Sequence, residues 1–147
     1  MQLSALTLTV AWLRLEKALE AYQAQLRREH GVTVLQLSIL AILSERPALP
    51  LAALRKGLVM HAATLGQAVD ELRRMGLVSV RTNPEDKRAR VVALTDEGAA
   101  LLAKAPLAGP ARLRQTQAAP ERLETLAQEL GELVEVFGLG DWVPDKK

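Results

Sequence analysis

A chain of 147 residues can bury a core in one domain, and a composition 49% apolar and 24% charged is that of an ordinary globular protein. It has no cysteine, which excludes disulfides, thiolate metal sites, cysteine nucleophiles and thiol redox sensing, and two histidines leave little for an imidazole metal site. The net charge of +2 hides an uneven distribution: residues 51–94 are net +4, the remainder net −2, and the stretch from Pro120 to Asp145 is strongly acidic. A basic middle suits contact with a polyanion, and it equally suits a solvated surface of uneven charge.

Aromatic residues are scarce, so the core must be built from Leu, Val, Ile and Ala, which favours helices. The apolar start of the chain is interrupted by Arg14, Glu16 and Lys17. It reads as part of the fold rather than as a leader or membrane span, and a cytoplasmic location is expected by default. Leu8, Trp12, Leu15, Leu19, Tyr22 and Leu26 recur at spacings of four and three, an apolar seam on one helix. A second seam runs through Leu3, Leu6, Val10 and Leu13, more apolar surface than one surface helix needs, so part of this helix is expected to pack on another subunit. His30-Gly31 ends it, with Gly31 as a left-handed cap.

Thr33 with Gln36 is in capping-box register, and the run VLQLSILAIL after it is apolar nearly all round, which predicts a central, buried helix. Pro47 and Pro50 punctuate the loop that follows. Leu51–Gly57 reads as a short helix, a break follows at 57–61, and Ala62–Met75 reads as a helix buried through Leu65, Val69 and Leu72. LVSVRT and VVAL are short β-branched runs separated by the turn cluster NPEDKR, which predicts a hairpin with a charged tip. Thr95 caps the next helix, with two acids in its first turn. Pro106, Gly109 and Pro110 must kink or break that helix. Pro120 opens the last helix, whose seam is Leu123, Leu126, Leu130, Leu133 and Phe137; Gly138 ends it, and the tail beyond has no periodicity.

Three compact helices followed directly by a two-stranded hairpin form the pattern of a winged helix-turn-helix: mainly α, with a small β-hairpin wing. In that arrangement the helix opening with His61-Ala62-Ala63-Thr64-Leu65-Gly66-Gln67 is the one that enters a major groove. Its small residues permit close approach; Thr64 can bond a base edge or a phosphate, and Gln67 can bond adenine in a bidentate way. Lys87, Arg88 and Arg90 lie in or beside the hairpin turn, where long cations reach phosphates or a narrow minor groove. His61, Leu65, Arg73 and Arg81 complete the candidate DNA-facing set. Asp86 is an acid on that surface, and its physical use would be to pair with a nearby arginine and fix its direction. Each residue also has a plainer reading: Gln67 as a solvated helix residue, Asp86 as a turn residue, Arg73 and Arg74 as complements to the helix dipole, Thr64 as a backbone partner.

The stretch Thr64–Gly98, through ELRRMGLV, Arg81, the Asp86-x-Arg88 pair and LTDEG, resembles the core signature of the MarR family of bacterial regulators. The resemblance implies one MarR-like domain over residues 1–147. Its dimerisation helices would lie at 1–30 and 120–137, its winged helix-turn-helix DNA-binding lobe at 33–95, and a linking helix at 96–119. It implies a homodimer on a pseudo-palindromic double-stranded operator, acting as a repressor of its own or a neighbouring gene. A small aromatic or anionic effector would release it, with Trp12, Tyr22 and His30 as pocket residues; Trp12 and Tyr22 read more readily as dimer-core fillers. Arg88 would contact DNA and Asp86 would brace the wing. The chain departs from the family where Gln67 replaces a residue often basic, and where Pro106–Pro110 interrupt the linker. No cofactor or metal is expected. No paired carboxylates, activated nucleophile or glycine-rich phosphate loop points to an enzyme. The alternatives are a winged-helix protein-interaction module and a constitutive DNA binder without ligand sensing.

Overall fold

The structure is a computed structural model and describes residues 1–58 and 60–144. The helices are α1 (Leu3–His30), α2 (Val34–Glu45), α3 (Leu51–Leu58), α4 (Ala62–Arg74), α5 (Asp96–Lys104) and α6 (Pro120–Val136). The strands are β1 (Ala48–Pro50), β2 (Val78–Asn83) and β3 (Asp86–Leu94), and 3₁₀ segments span Gly109–Gln115 and Gly140–Trp142. The expected mainly helical winged fold is present. The break placed at 57–61 includes residue 59, and the acidic stretch closes at residue 145; both lie outside the described residues.

α2 is the centre. Leu37, Ile39, Leu40, Ala41 and Leu43 are buried on successive sides of it, as its all-round apolar sequence requires. Against it pack α4, α5, β3 and the first 3₁₀ segment. The capping box forms as expected: the Thr33 hydroxyl accepts from the Gln36 amide while the Gln36 side chain accepts from the Thr33 amide. Gly31 takes the left-handed conformation, φ 72°, that turns the chain from α1 into this cap.

The sheet has three strands in the order β1-β3-β2, all antiparallel. β1 stands where a loop is expected. Ala48, Leu49 and Pro50 face Ala93, Val92 and Val91, and prolines before the strand and at its last residue are tolerated because β1 is an edge strand whose other side donates to nothing. The hairpin turn is tighter than the charged cluster suggests: Asn83 pairs with Asp86, leaving Pro84-Glu85 as the turn.

The linking segment 96–119 is broken rather than kinked. α5 stops at Lys104, the chain runs extended through Ala105, and Gly109–Gln115 forms a 3₁₀ segment laid on α2. The Tyr22 hydroxyl of α1 holds the break: it donates to the Pro106 carbonyl at 2.6 Å and accepts from the Ala108 amide at 3.2 Å. One side chain thus satisfies two backbone groups at the break, of which the Pro106 carbonyl would have lacked a partner even in a continuous helix, because Pro110 has no N–H.

α5 is fixed at its other end by Thr95, whose hydroxyl donates to the Gly76 carbonyl at 2.6 Å and accepts from the Gly98 amide at 3.0 Å. This draws the first turn of α5 onto the Leu77 backbone. A Cβ at Gly98 would overlap the Leu77 carbonyl oxygen and stand 2.8 Å from Leu94 Cδ1. Gly98→Ala is therefore expected to destabilise the fold by about 3 kcal/mol, lowering Tm by roughly 10 °C, measured by calorimetry; an unchanged Tm would show that the α4–β2 turn yields freely.

Candidate nucleic-acid interface

α4 is amphipathic. Leu65, Ala68, Val69 and Leu72 are buried, and His61, Ala62, Ala63, Thr64 and Gln67 are exposed. The helix has no side-chain cap: His61 is the N-cap residue and its ring bonds nothing there. The first amides of α4 therefore remain available, together with the positive end of the helix dipole. Leu65 is a correction. It is 1% exposed and lies in the core, so it anchors the helix and cannot reach a base edge.

The wing lies beside this opening. Between the pairs Thr82↔Arg90 and Asn83↔Asp86, three residues of β3 face none on β2, so Lys87, Arg88 and Ala89 form a bulge. Two short side chains shape the tip. Asn83 Oδ1 accepts from the Glu85 amide at 3.0 Å, and Asp86 Oδ1 accepts from the Arg88 amide at 3.0 Å. Asp86 thus braces the wing through the backbone of Arg88 rather than through its guanidinium, the partner expected of it.

The bulge brings its cations to the helix opening. One cleft, about 390 Å³, is lined by Pro50, Leu51, Ala52, Arg55, Ala62, Leu65, Arg88, Ala89 and Arg90. A second, about 310 Å³, lies between the α4 face Gly66-Val69-Asp70-Arg73 and the wing residues Arg81, Thr82 and Arg90. Arg55 is a site residue that the sequence does not single out. It belongs to the basic segment, but nothing in the short helix around it says that the helix stands beside the wing.

Among the described residues, Arg55, Lys56, Arg81, Lys87, Arg88 and Arg90 form no ion pair. Arg73 and Arg74 are different: both reach Asp70, at 2.7 and 2.5 Å. The hydrogen bond from Arg73, with the charges of both arginines, holds the Asp70 carboxyl below its usual value. These pairs are exposed and contribute little to stability, but they turn Arg73 toward its own helix.

The three residues expected in an effector pocket are separated along α1. Trp12 and His30 are eighteen residues apart, about 27 Å along a helix, too far for one small molecule to touch both within a protomer. Trp12 packs edge-on against Phe137 of α6, ring centres 5.6 Å apart, and Tyr22 holds the break after α5. Among the described residues no cluster of metal-ligating side chains occurs, and no helix is long and apolar enough to cross a membrane.

Residues 32–89 match the model of the MarR family. Among solved structures the chain is similar to Sco3205, a MarR family transcriptional regulator from Streptomyces coelicolor in complex with DNA, at 25% identity and TM-score 0.66, covering 92% of this chain and 88% of that one. It is similar to a mutant MarR from E. coli complexed with operator DNA, at 21% identity and TM-score 0.61, covering 91% and 99%. It is also similar to a MepR-like protein complexed with pseudoligands, at 19% identity and TM-score 0.67, covering 92% and 97%. No curated protein matches the sequence significantly. The fold is thus the winged-helix fold of MarR-family regulators, with the family's sequence signature running from α2 to the wing.

A group with a lowered folded-state pKa contributes stability above its ordinary value and loses it as pH falls through the lowered one. An NMR titration of the Asp70 carboxyl is accordingly expected to have its midpoint below the ordinary 3.8 and to move up in Arg73→Ala. A midpoint unmoved by that substitution would show that Arg73 is free to point elsewhere.

Proposed function

We propose, from the MarR-family signature at residues 32–89 and the MarR fold around it, that this chain is a transcriptional regulator that binds double-stranded DNA as a homodimer and represses its own or a neighbouring gene. The observation that carries the reading is the juxtaposition at α4: an exposed, uncapped helix opening flanked by Arg55, Arg88 and Arg90, none of which is paired with an acid among the described residues. Thr64 and Gln67 face outward on the first turns, where a major groove would meet base-reading side chains, and the bulged wing supplies phosphate contacts. Charge without base-reading groups would bind DNA of any sequence; the exposed Gln67 is what makes a preference chemically available.

Dimerisation is supported by the surface at the far end. A folded monomer of 16.0 kDa exposes about 7,400 Å² by the usual size scaling, whereas this protomer exposes 10537 Å². The excess of roughly 3,000 Å² per protomer, about 6,000 Å² over two, matches the largest obligate interfaces. The exposed apolar side chains concentrate where a partner would cover them: Leu3, Leu6, Val10 and Leu13 on α1, Leu126 and Leu130 on α6, then Leu139 and Trp142 beyond it. A two-fold partner seated there presents two α4 helices to successive turns of one DNA face. Release by a small aromatic or anionic effector belongs to the same reading and is supported by the relative complexed with pseudoligands. Such a regulator works in the cytoplasm.

Selection of bound sequences from random duplex DNA is expected to enrich an inverted repeat with half-sites about one helical turn apart. Arg88→Ala should weaken binding to every sequence and flatten the salt slope by about one; no enrichment, with an unchanged slope in the variant, would overturn the DNA-binding reading. Leu13→Glu combined with Leu130→Glu leaves the protomer's own core untouched, because both positions are exposed. It should weaken self-association by at least about 100-fold, since it sets charges into an apolar seam. Light scattering that still finds a dimer would place the interface elsewhere.

A further inference from the structure

The buried core of the described residues holds one polar side chain, Gln36, 1% exposed. Its capping-box role uses only its carbonyl oxygen, which accepts from the Thr33 amide at 2.9 Å. The amide nitrogen does something the cap does not require. It crosses to α4 and donates to the Ala68 carbonyl at 3.3 Å and to Glu71 Oε2 at 2.8 Å. Every polar atom of the side chain is thereby engaged.

The two acceptors are three residues apart on the one α4 face turned to α2, among Leu65 and Leu72. Leucine contacts are non-directional and tolerate small rolls and slides of one helix on another. A forked amide bonded to two points on the opposite helix does not. Rolling α4 by about 20° would carry atoms at its 5–6 Å side-chain radius by about 2 Å, far beyond the tolerance of a hydrogen bond. Gln67 adjoins Ala68 and Thr64 lies one turn before it, both exposed at the edge of the face that the clamp holds. The same 2 Å would take both out of reach of the base edges they address.

We infer that Gln36 is a specificity-determining positioning residue: by clamping Ala68 and Glu71 it fixes the register of α4 on α2, and hence the aim of Thr64 and Gln67. The inference rests on the DNA-binding reading. It assigns to a core residue the difference between specific and non-specific binding, which the exposed cations alone do not provide.

Gln36→Met keeps volume and burial and removes the clamp. Relative to wild type, its affinity for the selected repeat should fall about 10- to 100-fold, the worth of one or two base contacts. Binding to unrelated duplex and the salt slope should stay unchanged. Glu71→Gln, which retains an acceptor, should keep the wild-type ratio, and Glu71→Leu should lower it without a change inside the core. Equal losses on specific and unrelated DNA would reduce Gln36 to a structural residue and overturn the inference. Hydrogen exchange decides the same point without DNA: amides of α4 should lose protection in Gln36→Met relative to those of α2, and unaltered exchange in α4 would refute the clamp. A wild-type protein that selects no sequence would sink the DNA-binding reading, while the exchange result would still stand for or against the register.

Discussion

A helix that is apolar on every side has to be enclosed, and the enclosure of α2 organises the rest of the chain. No single neighbour can cover it. α4 takes one side, β3 another, α5 a third, and the 3₁₀ segment after the break closes what remains. That last contact explains why the linker abandons α-helical geometry. A straight continuation of α5 would leave α2 beside Ala111 open to water, whereas the broken chain returns and buries Ala111 against the core. Burial of α2 costs the linker some helical hydrogen bonds; Tyr22 replaces that of the Ala108 amide and also serves the Pro106 carbonyl, which Pro110 could not.

Around this core the charges segregate by what they touch. Where a cation lies on the outer end of α4, as with Arg73 and Arg74, Asp70 collects it. Where cations surround the helix opening, no acid does so among the described residues, and Asp86, an acid of the wing itself, spends its carboxylate on a backbone amide. A surface that keeps its own counter-charges away leaves its cations free to neutralise the phosphates of a polyanion, which releases the counterions condensed on it with a gain in entropy. The bulge in β3 adds geometry to charge, since it takes Arg88 out of the ladder and sets it beside Arg55.

The features legible in the sequence are those decided by neighbours within a few residues. The Thr33–Gln36 box, the Thr95 cap, Gly31 and the amphipathic seam of α4 all form as local chemistry requires. What escapes is decided by distant partners. β1 is three residues that follow one proline and end in another, and it exists because β3 has a free edge. Leu65 is a different case: the three- and four-residue spacing of the α4 seam already turns it inward with Leu72, and only its place in the helix opening suggests DNA contact. Arg55 acquires its place from a wing thirty residues further on. The second half of Gln36's bonding is hidden for the same reason: the capping box accounts for the residue so well that nothing in the sequence asks what its amide nitrogen does.

The break after α5 has a mechanical consequence. An unbroken linking helix is a rod, and a tilt at one end is a tilt at the other; four residues of non-helical chain make it a tether, which carries tension but not torque. Of the described elements, α1 is then the stiff one that reaches from the winged lobe to the far apolar end, seated at Leu26 and running about 35 Å back to Leu3. It behaves as a lever with its fulcrum in the core. A change of about 5° in its angle displaces its free end by roughly 3 Å at that length, comparable to the rise of one base pair. In the proposed dimer, closed through that far end, the inclination of α1 would set the spacing between the two winged lobes, and Tyr22, one turn from the fulcrum, ties that lever to the tether.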